Sequence, residues 1–164
     1  MQIQVIMFRQ DDPKKCTAAK LVKFKIAKNV KKTSASTMIL DPFAEHVILP
    51  SNKFLVDSVT GIDCSWEIAQ KTFARNFVGL PRKLPPLFAG NPVNYSKLYK
   101  MTTVEAIAGA LFIMGFDNDA LDMLDKFKWG HTFYDLNKNL LEDYSKVNSE
   151  EEISTIVKEY RILV

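Results

Sequence analysis

SVTGIDC, residues 58–64, predicts a β-strand, because apolar and β-branched residues lead up to a polar end. Side chains of unlike chemistry crowd onto that end: Asp63, Cys64, Ser65 and Trp66. A strand whose only role is packing in the core is expected to end in an ordinary turn. The cluster therefore indicates that this strand end has a role besides packing.

Strands alternate with helices in the first half of the chain. Two strands precede SVTGIDC and are predicted over residues 2–8 (QIQVIMF) and 36–42 (STMILDP). Helical patterns cover residues 18–28 and 67–77. The alternation predicts an α/β fold with a parallel or mixed sheet and helices on its faces.

The second half of the chain is predicted to be mostly helical. It begins with a short strand or extended segment over residues 83–90 (KLPPLFAG), which prolines interrupt. Helical patterns then follow over residues 103–116, 118–127, 130–147 and 149–163.

Helix starts can be located from single residues. Asp and Pro at residues 11–13 mark a turn or a helix start, and Thr17 is a candidate cap for the helix over 18–28. Ser149 and Glu152 have the spacing of a capping box, so the last helix is expected to begin there.

Composition indicates a globular protein. The 164 residues suit one domain or two tightly joined lobes, and 47% of them are hydrophobic and 25% charged. No apolar run approaches the roughly 20 residues of a membrane span, and the N-terminus has no basic leader. We therefore expect a soluble, cytoplasmic protein without a membrane partner, and a monomer.

Cysteines and histidines are few and scattered. Cys16, Cys64, His46 and His131 have no second ligand at the spacing of a zinc motif, so no metal site is predicted. We expect both cysteines to be free thiols. A bridge between them, as thermophiles sometimes form, stays open.

Charge divides the chain into two unlike parts. Residues 1–116 carry 16 Lys or Arg against 8 Asp or Glu, whereas residues 117–164 carry 6 against 11. Residues 9–32 alone hold nine basic side chains, a density that suits a phosphate backbone. Charge by itself is equally compatible with a solvated helix face.

Three segments should meet at one edge of the sheet. Ligands of parallel sheets bind beyond the carboxyl ends of the strands, where the segments 40–42, 62–66 and 91–106 are expected. Trp66 suits an adenine or a sulfonium, and Asp63 suits an ammonium group or a proton. The alternatives are that Trp66 is a core residue and that Asp63 caps the next helix.

The sequence lacks two phosphate-binding motifs, and this narrows the kinds of ligand that we expect. Neither GxGxxG nor GxxxxGK[ST] occurs, which argues against dinucleotides and nucleoside triphosphates. An adenosine ligand without phosphates needs only apolar walls and backbone hydrogen bonds. S-Adenosylmethionine fits that description.

Motifs along nearly the whole chain resemble one known family. They are DDPKKCTAAKLVK (11–23), ILDPFAE (39–45), DCSW (63–66), RKLPPLFAGNPVNY (82–95), LYKMTTVEAIAGALFIMGF (98–116) and FKWGHTFYDLNKNLLEDYSK (127–146). In order and spacing they resemble the small-subunit rRNA aminocarboxypropyltransferases of archaea and eukaryotes. The chain lacks the long acidic tail of eukaryotic members, so we expect an archaeal-type protein.

The resemblance implies both a fold and a reaction. The fold would be an N-terminal α/β lobe (1–80) with a basic RNA-facing surface, and a SPOUT-like C-terminal part (81–164) with a deep trefoil knot and a helical end. The reaction would transfer the 3-amino-3-carboxypropyl group of S-adenosylmethionine to N3 of a (N1-methyl)pseudouridine in small-subunit rRNA, a late step of ribosome biogenesis. Neither a metal nor a covalent enzyme intermediate is required.

Site residues follow from the resemblance position by position. The residues expected to bind the cofactor are Thr17, Leu40, Pro42, Ile62, Trp66, Ala69, Leu84, Tyr99, Thr103 and Ala106. Asp63 is the candidate catalytic residue, as a proton acceptor or an ammonium anchor. RNA binding is predicted from the basic density of the first part of the chain for Arg9, Lys20, Lys23 and Lys28.

Two other functions use the same features. A SPOUT-type RNA methyltransferase would share the cofactor and the basic face but expose the methyl group. A non-catalytic ribosome-assembly factor would keep the basic face and need no cofactor. Product mass and cofactor binding distinguish these functions.

Overall fold

The structure is a computed structural model that describes residues 1–9, 12 and 14–164. The turn or helix start predicted at residues 11–13 therefore lies largely outside the described residues.

Five parallel strands form the central sheet. They are β1 (Gln2–Met7), β2 (Lys28–Asn29), β3 (Thr37–Leu40), β4 (Ser58–Asp63) and β5 (Leu80–Arg82), and their order across the sheet is β2-β1-β4-β3-β5. The predicted α/β fold is confirmed, and of the two sheet types the parallel one is present. The strands at 2–8, 36–42 and 58–64 are confirmed as β1, β3 and β4.

Other predictions for the first half of the chain were inaccurate. The helix predicted over 18–28 ends at Lys23, because Lys25 has a φ of 59° that a helix cannot continue through. β2 was missed because two exposed residues carry no apolar alternation. Of the two alternatives for residues 83–90, the short strand is wrong: β5 ends at Arg82, and residues 83–90 have only isolated bridges, at Lys83 and Phe88, with Pro85 and Pro86 between them unable to donate to a sheet.

Short helices flank the sheet in the first half, and longer ones form the second half. They are α1 (Thr17–Lys23), α2 (Ala69–Phe73), α3 (Thr103–Ile113), α4 (Asp117–Leu124), α5 (Gly130–Tyr144) and α6 (Glu150–Glu159). Thus α2 is shorter than the pattern over 67–77 predicts. In the described residues, no helix has the length and apolar character needed to cross a membrane.

Helix α3 is the centre of the molecule. It packs against α1, β4, α4 and α5, and its residues 107–113 are all buried. One hydrophobic core includes Val59 of β4, Ile107 of α3 and Tyr144 of α5. The two parts of the chain thus share their core, and the boundary at residue 80 stays a prediction.

The last helix begins as predicted, with one difference in its cap. The Ser149 side chain accepts a hydrogen bond from the Glu152 N–H at 3.3 Å. The Glu152 carboxylate accepts from the N–H of Asn148 at 2.9 Å, one residue before the cap.

Candidate active site

A cleft of about 1490 Å³ opens at the carboxyl ends of β3 and β4. Every residue predicted to bind the cofactor lines it: Thr17, Leu40, Pro42, Ile62, Trp66, Ala69, Leu84, Tyr99, Thr103 and Ala106. Asp63 lines it as well. Tertiary structure therefore gathers residues from the whole first two thirds of the chain at one place, as the parallel sheet requires.

Asp63 stands at the end of β4, where two neutral donors hold it. The Cys16 thiol donates to Asp63 Oδ2 at 3.1 Å, and the Thr103 hydroxyl donates to Oδ1 at 3.2 Å. Helix α2 has Ile68 at its N-cap without a side-chain hydrogen bond. The alternative that Asp63 caps the next helix is therefore wrong.

The start of α1 differs from the prediction. Cys16, not Thr17, is the N-cap residue, and its sulfur accepts a hydrogen bond from the Ala19 N–H at 3.3 Å. Thr17 is the first helical residue, and its hydroxyl accepts from the N–H of Val104 at 3.3 Å. Thr17 thus joins the starts of α1 and α3, because a helix start leaves such N–H groups without partners.

Burial raises the pKa of Cys16 to about 11, and the nearby Asp63 carboxylate contributes in the same direction. At neutral pH this thiol is protonated. It therefore acts at the site as a hydrogen-bond donor and not as a nucleophile.

Trp66 is not a core residue. Its side chain is 42% exposed, and the Lys100 ammonium lies 4.9 Å from the ring centroid, a distance at which cation–π attraction operates. Ala69 lies next to it and is buried, and its N–H donates to the Trp66 carbonyl at 3.4 Å. Trp66 thus lines the cleft with a ring that a cation can contact, as the Lys100 ammonium does.

One wall of the cleft is an irregular segment, residues 84–102, which a buried carboxylate fastens. Glu105 is fully buried and accepts hydrogen bonds from the N–H groups of Gly90, Asn91 and Thr102 at 2.6, 3.0 and 2.7 Å. The Asn91 amide and the Thr102 hydroxyl donate to it at 2.9 and 2.8 Å. Glu105 was not predicted, although Thr102 and Glu105 have capping-box spacing.

Helix α5 fastens the same segment from below. The Asn137 side chain accepts a hydrogen bond from the Phe88 N–H and donates one to the Phe88 carbonyl, both at 2.8 Å. The amide thus satisfies both backbone groups of Phe88, as the backbone of a neighbouring strand does in a sheet. The Tyr144 hydroxyl donates to the Pro86 carbonyl at 3.2 Å. These contacts give an otherwise irregular wall a defined shape.

The predicted RNA-binding residues lie outside the cleft. Arg9, Lys23 and Lys28 are exposed, whereas Lys20 is partly buried, with its ammonium 5.8 Å from the Phe127 ring centroid. No contact of these residues tests their role, which stays a prediction.

In the described part of the chain, no three His, Cys, Asp or Glu side chains lie close enough together to hold a metal ion. The two histidines each pair with one carboxylate instead. His46 lies 3.0 Å from Glu150, and His131 lies 2.9 Å from Asp125.

Two protein families match the chain. The family described as "Ribosome biogenesis protein, C-terminal" matches residues 38–161. The family described as "Possible Fer4-like domain in RNase L inhibitor" matches residues 1–34. Since Cys16 is the only cysteine in residues 1–34, the four thiolates of an iron–sulfur cluster are not present there.

Individual relatives agree with the first of these families. A protein of Methanococcoides burtonii named 16S rRNA aminocarboxypropyltransferase is 41% identical, over 96% of this chain and 94% of its own. One of the same name from Saccharolobus solfataricus is 39% identical, over 97% and 95%. The structure of Tsr3 from Vulcanisaeta distributa, described as a SAM-dependent rRNA:acp-transferase, superposes with a TM-score of 0.86 at 34% identity and covers 94% of this chain and 88% of that one.

Proposed function

The chain belongs to the family of the 16S rRNA aminocarboxypropyltransferases, and we propose that its cleft binds S-adenosylmethionine and directs the aminocarboxypropyl group to small-subunit rRNA. The protein is an S-adenosylmethionine-dependent transferase of ribosome biogenesis. The observation that carries the assignment of the site is the Asp63 carboxylate, which two hydrogen bonds hold in the lining of the same cleft as the partly exposed Trp66 ring.

The donors and walls of the cleft fit this cofactor. An apolar region formed by Leu40, Leu84 and Ala106 suits an adenine, while Asp63 and Trp66 suit the two cationic groups, ammonium and sulfonium. Ligand pockets commonly measure about 300–1,000 Å³, so the cleft has room for part of a second reactant.

Each predicted residue has a specific role in the proposed complex. Leu40 and Pro42 form one wall of the adenine pocket, and the backbone of Leu84 and of Tyr99 holds the adenine edge. The Ile62 carbonyl accepts from the ribose hydroxyls. Thr103 and Ala106 close the pocket from α3.

The reactive end of the cofactor is bound separately. Thr17 binds the carboxylate of the aminocarboxypropyl group, because its hydroxyl accepts from Val104 and still has its own hydrogen to donate. Trp66 and Ala69 enclose the methyl group, and Asp63 borders the aminocarboxypropyl chain.

The cofactor supplies a carbon already activated by its bond to a positively charged sulfur. The protein has to orient the two reactants, since the attacking atom must lie in line with the carbon–sulfur bond that breaks. A site that covers the methyl group and exposes the methylene of the chain directs transfer to the larger group. We propose N3 of a pseudouridine as the attacking atom: it loses its imide proton, bonds the methylene, and the sulfur keeps the bonding electrons as methylthioadenosine.

The decisive experiment determines which labelled carbon of S-adenosylmethionine is transferred to the RNA. The protein is incubated with small-subunit rRNA and with S-adenosylmethionine labelled either in the methyl or in the carboxyl carbon. Only the carboxyl label should enter the RNA, while the methyl label should leave in methylthioadenosine. Methyl label in the RNA would indicate a methyltransferase, and no S-adenosylmethionine binding by calorimetry would indicate an assembly factor.

The basic surface of the first part of the chain should bind the RNA backbone. Replacing Arg9, Lys23 and Lys28 together by glutamine should weaken RNA binding and reduce the slope of log affinity against log salt by about 2–3, because each phosphate contact contributes about 0.7–0.9. Lys20 is left intact, since it also contacts Phe127.

A matched triple variant in the acidic part of the chain serves as the control. Lys126, Lys128 and Lys138 are exposed like the first set, and their replacement by glutamine should leave the slope unchanged. Equal slopes for both triple variants would contradict an RNA-facing surface within residues 1–80.

The trefoil knot of the SPOUT fold is part of the same proposal. The Lys83 N–H donates to His46 O at 3.0 Å and the Ile48 N–H to Lys83 O at 2.9 Å, which closes the chain between residues 46 and 83 into a loop. Helix α3 packs against β4, which belongs to that loop. If the chain after residue 83 passes through this loop, the chain is knotted. Pulling on both ends then leaves some residues inside the knot, so the length of the fully extended chain should be less than about 3.3–3.6 Å per residue.

A further inference from the structure

Among the residues that the structure describes, the Asp63 carboxylate has hydrogen-bond donors but no ion-pair partner. Its two hydrogen-bond donors, the Cys16 thiol and the Thr103 hydroxyl, are both neutral. An unpaired carboxylate at the wall of a ligand cleft is complementary to a cation.

We propose that Cys16 is a positioning residue of the transfer reaction, whose thiol holds the Asp63 carboxylate in the orientation that binds the ammonium group of S-adenosylmethionine. This inference rests on the proposed function. It also decides between the two roles left open for Asp63, since it makes Asp63 an ammonium anchor.

Three elements meet at this carboxylate. Cys16 precedes α1, Asp63 ends β4 and Thr103 begins α3. Because each donor takes a different oxygen, Oδ2 for the thiol and Oδ1 for the hydroxyl, the carboxylate cannot turn about its last bond without losing a hydrogen bond. Each oxygen retains lone-pair capacity for the ammonium group.

Both hydrogen-bonding capacities of Cys16 are in use. Its sulfur accepts from the Ala19 N–H at 3.3 Å, and its single hydrogen points to Asp63 at 3.1 Å. The pKa of about 11 keeps that hydrogen in place over the working range of pH. A thiol with a usual pKa would be partly ionised in mildly basic solution and would then repel the carboxylate.

Three ligands separate this role from a merely structural one. They are S-adenosylmethionine, its deamino analogue in which hydrogen replaces the α-amino group, and methylthioadenosine, which lacks the entire chain. Cys16→Ala should bind S-adenosylmethionine about tenfold more weakly, the value of a lost hydrogen bond near a charged group. Its affinities for the deamino analogue and for methylthioadenosine should equal those of the unmutated protein.

Two further variants serve as controls for the helix start. Cys16→Ser should bind all three ligands normally, because a serine hydroxyl can donate to Asp63 and accept from the Ala19 N–H. Cys16→Gly should behave like Cys16→Ala, since glycine is tolerated at an N-cap but has no donor. Melting temperatures of the variants show whether each of them is folded.

Each outcome has a defined meaning. Equal weakening for all three ligands would show that Cys16 acts only through the shape of α1, and unchanged S-adenosylmethionine affinity in Cys16→Ala and Cys16→Gly would show that it positions nothing. Either result overturns the inference. Failure of the unmutated protein to bind any of the ligands would instead count against the proposed function.

Discussion

Replacing Glu105 by alanine is expected to destabilise the protein by about 3–5 kcal/mol, as when one partner of a buried charged network is removed. Glu105 is fully buried, and its carboxylate satisfies donors on Gly90, Asn91 and Thr102. Each buried donor left without a partner costs about 1–3 kcal/mol, although water entering the space would recover part of that. Chemical denaturation followed by circular dichroism measures the change.

The expected loss is specific to this buried carboxylate. Glu142→Ala removes an exposed carboxylate of α5 whose partner, the exposed Lys146, lies just beyond the end of that helix, and it should change stability by less than about 1 kcal/mol. Similar losses for both variants would show that the Glu105 network does not stabilise the fold.

Replacing Asp63 by asparagine should weaken S-adenosylmethionine binding by about tenfold to a hundredfold, the range for hydrogen bonds to charged groups. Asparagine keeps the shape of the side chain and removes its charge, so the ammonium group loses its counter-ion. Transfer to rRNA should fall further at saturating cofactor, because a misplaced chain leaves the methylene out of line. Calorimetry and single-turnover assays measure the two effects separately.

Asp41→Asn is the matched control for this variant. Asp41 also lines the cleft, and burial raises the pKa of its carboxyl. Its carboxylate accepts from the Phe43 N–H at 2.8 Å, a bond that an asparagine oxygen can also accept. Affinity should therefore change little. If Asp63→Asn lowers turnover while its S-adenosylmethionine affinity stays normal, Asp63 is a proton acceptor and not an anchor.

Local sequence patterns determined much of the secondary structure. The strands β1, β3 and β4 follow from short apolar runs, and α6 begins directly after Ser149 because the Ser149 side chain satisfies the Glu152 N–H. These features depend on neighbours a few residues apart, so the sequence is sufficient to predict them. The segment DCSW likewise marked the strand end that lines the cleft.

Motif resemblance, rather than periodicity, supplied the individual cofactor residues. It placed Thr17, Ile62 and Tyr99 at one site although they are far apart along the chain, and the structure does bring them to one cleft. The local prediction for Thr17 as a helix cap was wrong. Threonine is the better general N-cap, but here the Thr17 hydroxyl accepts from Val104 and the preceding cysteine caps the helix.

Only the tertiary structure decided how the site is held together. Cys16 and Asp63 are 47 positions apart, and Phe88 and Asn137 are 49 apart, so no local pattern indicates either hydrogen bond. β5 was not predicted for the same reason, since a three-residue edge strand is defined only by its pairing with β3. By itself the sequence determined the fold class, most helices and the family. The partners of Asp63 and Glu105 depend on which backbone groups the packed core leaves buried and in need of hydrogen bonds.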